Sequence, residues 1–301
     1  MKEIISYIKK NNIGSCKTDV LLSSYTTYKV GGVCKLLVYP KNTDKLILLV
    51  RKLKEENIKY KVIGNGSNLI FSDKLYDGVI IKLDSFDKVK IKDTIIEADA
   101  GVSLVKLSYL ALKEGLSGLE FASGIPATIG GAVFMNAGAY KSDMGYIVSE
   151  VKVLDSSLNI KTLYNSDMHF KYRSSFLQKN RDYICLSAKL VLKNGNKKEI
   201  KELMESRRQK RLLTQPLEYP SAGSVFRNPI DNFAGKLIED CNLKGKKIGG
   251  AKVSLKHANF IINNNNAKAS DIRDLIMYVH DKVKEETKYD LKIEQEFVNW
   301  E

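Results

Sequence analysis

Apolar positions along the 301-residue chain come in short blocks that switch between a helical and an extended rhythm. Ile4, Ile5 and Ile8 recur at helical spacing within residues 1–12, which predicts a short amphipathic helix. Residues 25–40, YTTYKVGGVCKLLVYP, read as a strand, a break at Gly31-Gly32 and a second strand closed by Pro40. A helix is predicted at 43–57, with Thr43 as its N-cap and Leu46, Leu49, Val50 and Leu53 as its buried stripe. YKVIG (60–64), an apolar run at 69–71 and VIIKL (79–83) read as extended segments around a glycine-rich loop, and 88–98 as a hairpin. The next helix runs from Ser103 to Glu114, with Gly115 where a helix end favours glycine.

Extended segments return at 151–155 and 183–192. KNGNKKE (193–199) is polar, carries a glycine and has no apolar anchor, so it reads as a linker. Beyond it come a helix at 200–213, a strand-rich stretch at 234–262 and a helix capped by Ser270. That last helix puts Ile272, Leu275, Ile276, Val279 and Val283 on one face, and the chain ends in a strand, IEQEFVNWE. No internal repeat is present. The pattern predicts an α+β fold in two domains, with the break near 193–199.

Composition narrows the class. Hydrophobic residues make up 44% and charged residues 28%, and the five prolines fall in no low-complexity tract, so a globular core is expected rather than disorder. No apolar run reaches the ~18 residues of a membrane span. The N-terminal apolar residues are too interrupted for a signal-peptide core, so a soluble, cytoplasmic protein with no membrane partner is expected. Cys16, Cys34, Cys185 and Cys241 are scattered without a CxxC pair, and three histidines are dispersed, so neither a disulfide framework nor a metal site is expected. The net charge of +14 raises nucleic-acid binding, which needs basic residues gathered on one face with stacking aromatics. Here lysines are spread, with short clusters only at Lys197–Lys198, Arg207–Arg211 and Lys244–Lys247. A solvated lysine-rich surface is therefore favoured, and a positive field steering an anionic small substrate is the third reading.

Three segments carry candidate chemistry. VIGNGSNLIF (62–71) places Gly64, Asn65, Gly66, Ser67 and Asn68 after a strand, where backbone N–H groups can gather round a phosphate oxygen. It is not a dinucleotide fingerprint of the GxGxxG type, because an extended segment follows instead of a helix. GLEFASGIPATIGGAVFMNAGAY (118–140) lies in a stretch, 115–145, that holds seven of the twenty glycines; such bare, extended backbone suits a large planar or phosphorylated ligand, or else a tight core crossing. SAGSVFRNP (221–229) surrounds a serine with small residues, but it lacks the GxSxG elbow and a neighbouring histidine. That serine can donate a hydrogen bond, or a proton to a strongly basic carbanion; a plain turn before proline is the alternative.

Together with YTTYKVGG (25–32), YRSSF (172–176), AGKLIEDCNLKG (234–245) and IEQEF (293–297), these segments closely resemble the UDP-N-acetylenolpyruvoylglucosamine reductases, the MurB family, from about Tyr25 to the C-terminus. The compact spacing looks like the shorter, type II branch. The resemblance implies an FAD-binding PCMH-type (vanillyl-alcohol-oxidase-like) domain at 29–193 after an N-terminal lead-in at 1–28, and a smaller α+β substrate domain at 200–301. It implies FAD as cofactor, NADPH as co-substrate, UDP-N-acetylglucosamine enolpyruvate as substrate, a monomer and no nucleic acid. It places FAD contacts at Gly64–Asn68 and at Ser123, Gly124, Ile125, Gly130, Gly131, Asn136 and Gly138. Ala127 stands where the family usually has the glycine of GIPG, and Lys141 where glycine is common, so a local adjustment of the flavin loop is expected.

The reaction implied by the resemblance has two halves: NADPH reduces the flavin, and reduced flavin then gives hydride to the vinyl carbon of the enolpyruvyl ether. Ser224 matches the family's proton donor, a weak acid that suffices when the acceptor is an enolate carbon held in place. Arg173 matches the catalytic arginine, whose planar guanidinium suits the substrate carboxylate. Glu296 matches the family's C-terminal glutamate, with Glu294, two residues away on the same strand face, as competitor. Tyr172 and Asn228 are candidate substrate contacts. Lys236, Lys244 and Lys246 are candidates for the diphosphate, though solvated lysines are the commoner case, and His257 is left outside the catalytic set. A flavin oxidase of similar fold and a colourless basic binding module are the rival readings. The first would show no NADPH dependence, and the second is disfavoured by the glycine-rich segment.

Overall fold

Leu46, Leu49, Val50 and Leu53 lose all their solvent exposure along the helix Thr43–Glu55. Each such side chain contributes about 1.5–3 kcal/mol of transfer free energy, which is why this stripe fixes the helix against its neighbours. In the computed structural model, which describes residues 1–301, that helix belongs to the first of two compact units. The first comprises Met1–Thr18, Leu36–Asn65 and Gly78–Gln209; the second comprises Asp19–Lys35, Gly66–Asp77 and Lys210–Glu301. The fold is α+β, as the alternation of periods predicts.

The first unit is built on an antiparallel five-stranded sheet in the order Ile160–Tyr164, Val148–Leu154, Ile184–Val191, Ile95–Asp99, Val89–Lys92. A four-stranded sheet runs Gly14–Leu21, Val33–Pro40, Tyr76–Lys82, Tyr60–Ile63, its last pair parallel with Tyr60 opposite Val79. The helix Leu104–Glu114 begins at Ser103, whose hydroxyl accepts the Lys106 N–H, and ends at Gly115 in the left-handed conformation. In the second unit a three-stranded sheet (Lys247–Ile248, Ala251–Val253, Ile261–Asn263) packs with the helix Ala269–Thr287. There the terminal strand Glu296–Val298 pairs in parallel with Leu69–Phe71, Glu296 opposite Leu69.

Several local expectations change. The N-cap of the helix at 43 is Asn42, not Thr43: Asn42 is extended and its side chain accepts the Lys45 N–H at 3.0 Å. The stretch 25–40 holds one strand, Val33–Pro40, after a 3₁₀ turn at Leu22–Tyr25. Residues 193–199 are not a free linker. Lys193–Asn194 pairs backbone to backbone with Leu116–Ser117, and Asn196 caps the helix Lys197–Thr214 by accepting the Lys198 N–H at 2.9 Å. Within 234–262 the first seven residues form a helix, Ala234–Asp240, because Ala234, Leu237 and Ile238 share one helical face and are buried. The helix expected to be capped by Ser270 starts earlier, at Ala269, with Lys268 in the cap position. Its first N–H groups, on Ala269 and Ser270, donate to the Asp73 carboxylate at 2.9 and 3.0 Å. The division by contacts also differs from one cut between 29–193 and 200–301. Tyr28, Val30 and Ile70 sit in the core of the second unit, whereas Ile200 and Met204 are buried in the helix that begins in the first.

Candidate active site

In the first unit, two glycine-bearing segments some 60 residues apart in sequence meet. Gly64, after the strand Tyr60–Ile63, lies so close to Thr128 that a Cβ there would sit 2.5 Å from the threonine hydroxyl. Asn65 Nδ2 donates to the Pro126 carbonyl at 3.2 Å, and Lys82 Nζ donates to the Gly64 carbonyl at 2.9 Å. Thr128 is the N-cap of the helix Ile129–Met135, its hydroxyl accepting the Gly131 N–H at 3.3 Å. The segment 118–140 is thus not extended throughout, because the cap at Thr128 turns it into a helix. Gly130 is pressed on Ala100, where a Cβ would meet the alanine methyl at 3.1 Å. At Gly131 an added Cβ would meet only the Thr128 hydroxyl, at an ordinary 3.5 Å. Nothing in the protein requires the missing side chain there, and the bare backbone leaves room that a flat ligand can take. Ser123 is half-buried, its hydroxyl donating to the Glu120 carbonyl at 3.0 Å, and Gly124 and Ile125 follow it, also half-buried.

Arg173 stands in the same unit on a tight turn closed by reciprocal backbone bonds between Lys171 and Ser174, of 3.0 and 2.9 Å. Its φ is +52°, and its Nη2 donates to the Gly138 carbonyl at 2.8 Å while the guanidinium lies 5.1 Å from the Tyr172 ring centre. Tyr172 itself is half exposed. Gln178 Nε2 holds the turn from behind through the Arg173 carbonyl at 3.0 Å. Gly138 must be glycine, since a Cβ would sit 2.5 Å from the Asp143 Cβ.

Asn136, expected as a flavin contact, has its amide engaged within the protein. It is 1% exposed, donates to the Lys171 carbonyl at 2.9 Å and accepts the Gly145 N–H at 2.8 Å, so its amide braces the arginine turn from inside. Burial pushes the neighbouring Asp143 carboxyl above its ordinary range; the Gly145 and Tyr146 N–H groups, the Asn136 amide and the Arg173 charge pull the other way.

The second unit holds the other candidates. Gly66 takes φ +64° and packs on the Tyr25–Thr26 backbone, too close for any Cβ. Ser67 is half-buried, and Asn68 Nδ2 donates to the Glu294 carbonyl at 3.1 Å while the Asn68 carbonyl accepts the Glu296 N–H at 2.9 Å. The loop 64–68 is therefore shared between the units, with Gly64 and Asn65 in the first and Gly66–Asn68 in the second.

Ser224 follows Gly223, whose φ of +75° makes the turn, and is itself partly buried. Just beyond it, residues 225–227 lie antiparallel to 292–294: Phe226 bridges Ile293, the Glu294 N–H donates to the Val225 carbonyl at 2.8 Å, and the Arg227 N–H to that of Lys292 at 2.8 Å. This pairing brings the serine turn beside the segment that carries both glutamates. Glu294 and Glu296 are each half-buried, and Gln295 between them is buried. Asn228 is exposed and its side-chain Oδ1 accepts the Ala234 N–H at 3.0 Å, so it holds the start of the helix Ala234–Asp240. Lys244 pairs with Glu239 at 2.7 Å, Lys246 lies 4.5 Å from the Tyr278 ring centre, and Lys236 is exposed. His257 packs on Phe260 and its Nδ1 accepts the Asn259 N–H at 3.3 Å.

Residues whose roles the motifs do not reveal are Thr128, Lys82, Gln178, Asn259 and Gln295, which touch the site's backbone rather than forming its face, and Tyr28, whose hydroxyl donates to the Gln295 side chain. Only Gln295 leaves a sequence signal, a polar residue on the inward side of an alternating strand.

Known proteins resemble this chain over nearly its whole length. Residues 34–162 match the model of an FAD binding domain, and 215–298 match the C-terminal domain of UDP-N-acetylenolpyruvoylglucosamine reductase. Relatives named UDP-N-acetylenolpyruvoylglucosamine reductase include one from Anoxybacillus flavithermus, 45% identical over 97% of this chain and 95% of its own length. Another, from Bacillus subtilis, is 41% identical over 99% of each chain. The crystal structure of the enzyme of that name (MurB) from Thermus caldophilus superposes with a TM-score of 0.81 at 34% identity, covering 94% of this chain and 98% of that one. The fold alone is shared with Physcomitrella patens BBE-like 1, at TM-score 0.52, 15% identity and 64% of this chain.

Proposed function

Because the chain belongs to the family of UDP-N-acetylenolpyruvoylglucosamine reductases, we propose that it draws its electrons from NADPH and delivers the proton of the reaction from Ser224. The reaction is the FAD-dependent reduction of UDP-N-acetylglucosamine enolpyruvate to UDP-N-acetylmuramate, a step in peptidoglycan synthesis. When bound, FAD supplies the two-electron chemistry, taking up a hydride and passing one to the vinyl carbon. Gly64, Asn65, Ser123–Ile125, Gly130 and Gly131 fit such a group: largely bare backbone from two loops adjoins, and at Gly131 an added Cβ would meet the Thr128 hydroxyl alone, at ordinary contact.

The remaining chemistry falls to side chains. Hydride addition to the vinyl carbon leaves negative charge over the α-carbon and carboxylate, which needs a fixed cation and a proton. Arg173 binds the carboxylate, its plane held by the bond to Gly138 and by the Tyr172 ring. Ser224 protonates the α-carbon; a hydroxyl is a poor acid in water, yet an enolate carbon is a stronger base, so geometry rather than acidity governs the step. Glu296 sits on the strand beside the serine turn and polarises the acceptor, with Glu294 as its rival. The observation that carries the role of Ser224 is its place on a turn built by a left-handed glycine and tied to the glutamate-bearing segment. Each unit contributes its own candidates: in the first, Gly138 is a cofactor contact, Asn136 braces the arginine turn and Tyr172 is a substrate contact; in the second, Gly66, Ser67 and Asn68 are cofactor contacts and Asn228 a substrate contact. We further infer a cytoplasmic monomer acting on small molecules. No helix is long and apolar enough to cross a membrane.

An anaerobic visible spectrum tests this reading. A flavin band that bleaches with NADPH and returns with UDP-N-acetylglucosamine enolpyruvate is expected. Bleaching that reverses only with oxygen would make the protein an oxidase, and a colourless protein that takes up no FAD would overturn the assignment.

A further inference from the structure

The carboxamide of Gln295 is 4% exposed and faces three consecutive carbonyls of the serine turn: its Nε2 lies 3.1 Å from the oxygen of Ala222, 3.3 Å from Gly223 and 3.4 Å from Ser224. Its Oε1 accepts the hydroxyl of Tyr28, fully buried, at 3.1 Å. A phenol can donate here and the three carbonyls can only accept, so the amide has one workable orientation. Burial raises the Tyr28 phenol well above its ordinary range, which keeps it a donor at any physiological pH.

The turn is held from its other side as well. The Val225 N–H donates to the Asn259 carbonyl at 2.9 Å, and the buried Asn259 side chain accepts the Phe226 N–H at 2.9 Å and donates to the Phe226 carbonyl at 2.8 Å. Ser224 is thus strung between two buried carboxamides. A backbone that turns three carbonyls toward one point needs a donor there, because buried unpartnered carbonyls are costly. Gln295 is also the residue between Glu294 and Glu296, so a single side chain ties the proton donor's turn to the strand that carries the carboxylate.

We propose that Gln295, keyed by Tyr28, is the positioning residue that sets Ser224 for proton transfer. The inference rests on Ser224 as the proton donor. Gln295 touches no reacting atom; it acts through the placement of the serine, and a displacement of about 1 Å at such a group can cost about 100-fold in rate.

The test uses the holoenzyme with Gln295→Leu and Tyr28→Phe, measuring both half-reactions by anaerobic stopped flow. Flavin reduction by NADPH should stay within about 2-fold of the parent, while reoxidation by the enolpyruvyl substrate should slow by about 10–100-fold in Gln295→Leu and less in Tyr28→Phe. The solvent deuterium isotope effect on reoxidation should rise, since proton delivery becomes slower relative to hydride transfer. Added to Ser224→Ala, Gln295→Leu should cost little more, because both changes remove the same donor. Parental reoxidation with an unchanged isotope effect, or full additivity with Ser224→Ala, would overturn the proposal. Should Gln295→Leu fail to fold with FAD, Tyr28→Phe in the same assay decides alone. Ser224→Ala turning over at the parental rate would instead remove the premise, and so the two failures are separable.

Discussion

Arg173 Nη2 reaches the Gly138 carbonyl at 2.8 Å, joining a left-handed turn to a glycine that tolerates no side chain. The anchor fixes one edge of the guanidinium and thereby the plane that meets a carboxylate. Gly138→Ala would force a Cβ against Asp143 and move the acceptor. The expected outcome is a loss of about 10–100-fold in substrate-dependent flavin reoxidation, with Arg173→Lys similar because ammonium cannot make the bidentate contact. Stopped-flow kinetics of the two half-reactions check this; an unchanged second half-reaction in both variants would remove Arg173 from the site.

Ser224→Ala should keep FAD and its reduction by NADPH, yet slow the second half-reaction by about 100-fold or more, the usual range for a general acid. The turn itself should survive, because Gln295 and Asn259 hold its backbone rather than the serine hydroxyl. Reoxidation measured against the parent gives the answer directly.

Glu294 and Glu296 emerge on the same side of the terminal segment, flanking the inward Gln295. Glu296 lies in the ladder with Leu69, whereas Glu294 is tied by its backbone to Val225. Glu296→Gln is expected to impair the second half-reaction and Glu294→Gln to leave it within about 3-fold. The reverse result would shift the role two residues.

Much of this was legible in the residues, and the remainder was hidden for physical reasons. The helical stripe Leu46–Leu53 and the hairpin near 88–98 follow from period alone, and both formed. The helix Ala234–Asp240 was masked by its short length and by Gly235. The backbone ladder of Lys193–Asn194 needs no apolar side chain, so a polar stretch there reads as linker although it is paired. At the site, Arg173 and Ser224 stand in recognisable strings. The roles of Asn136 and Gln295 depend on carbonyls far away in sequence, which no local pattern records.

Tyr140 and Lys141 both take positive φ, +55° and +59°, at the tip linking Gly138–Ala139 to Ser142–Asp143. Such a two-residue turn favours glycine, and a bulky residue held left-handed costs about 1 kcal/mol. Lys141→Gly should therefore raise stability, by no more than about 1 kcal/mol after the added freedom of the unfolded chain is counted. Thermal unfolding of the holoenzyme would register this as a small rise in Tm; a fall would show that the lysine side chain contributes more than its backbone costs.

His257 gives a pH dependence whose sign follows from its surroundings. Burial depresses its pKa below the ordinary 6.5, with the Lys244 charge acting in the same direction, while its own backbone and Glu239 oppose. Its Nδ1 accepts the Asn259 N–H, a bond that protonation would abolish. The unfolded chain then binds the proton more readily than the folded one, so the neutral ring's contribution is present above about pH 6.5 and is lost as pH falls through the depressed value. Because Asn259 also braces the serine turn, the loss should appear in the second unit first. His257→Gln should flatten the decline in stability as pH falls below about 6.5 relative to the parent, followed by denaturant unfolding at each pH. Parallel curves for the two proteins would show that His257 does not titrate on unfolding.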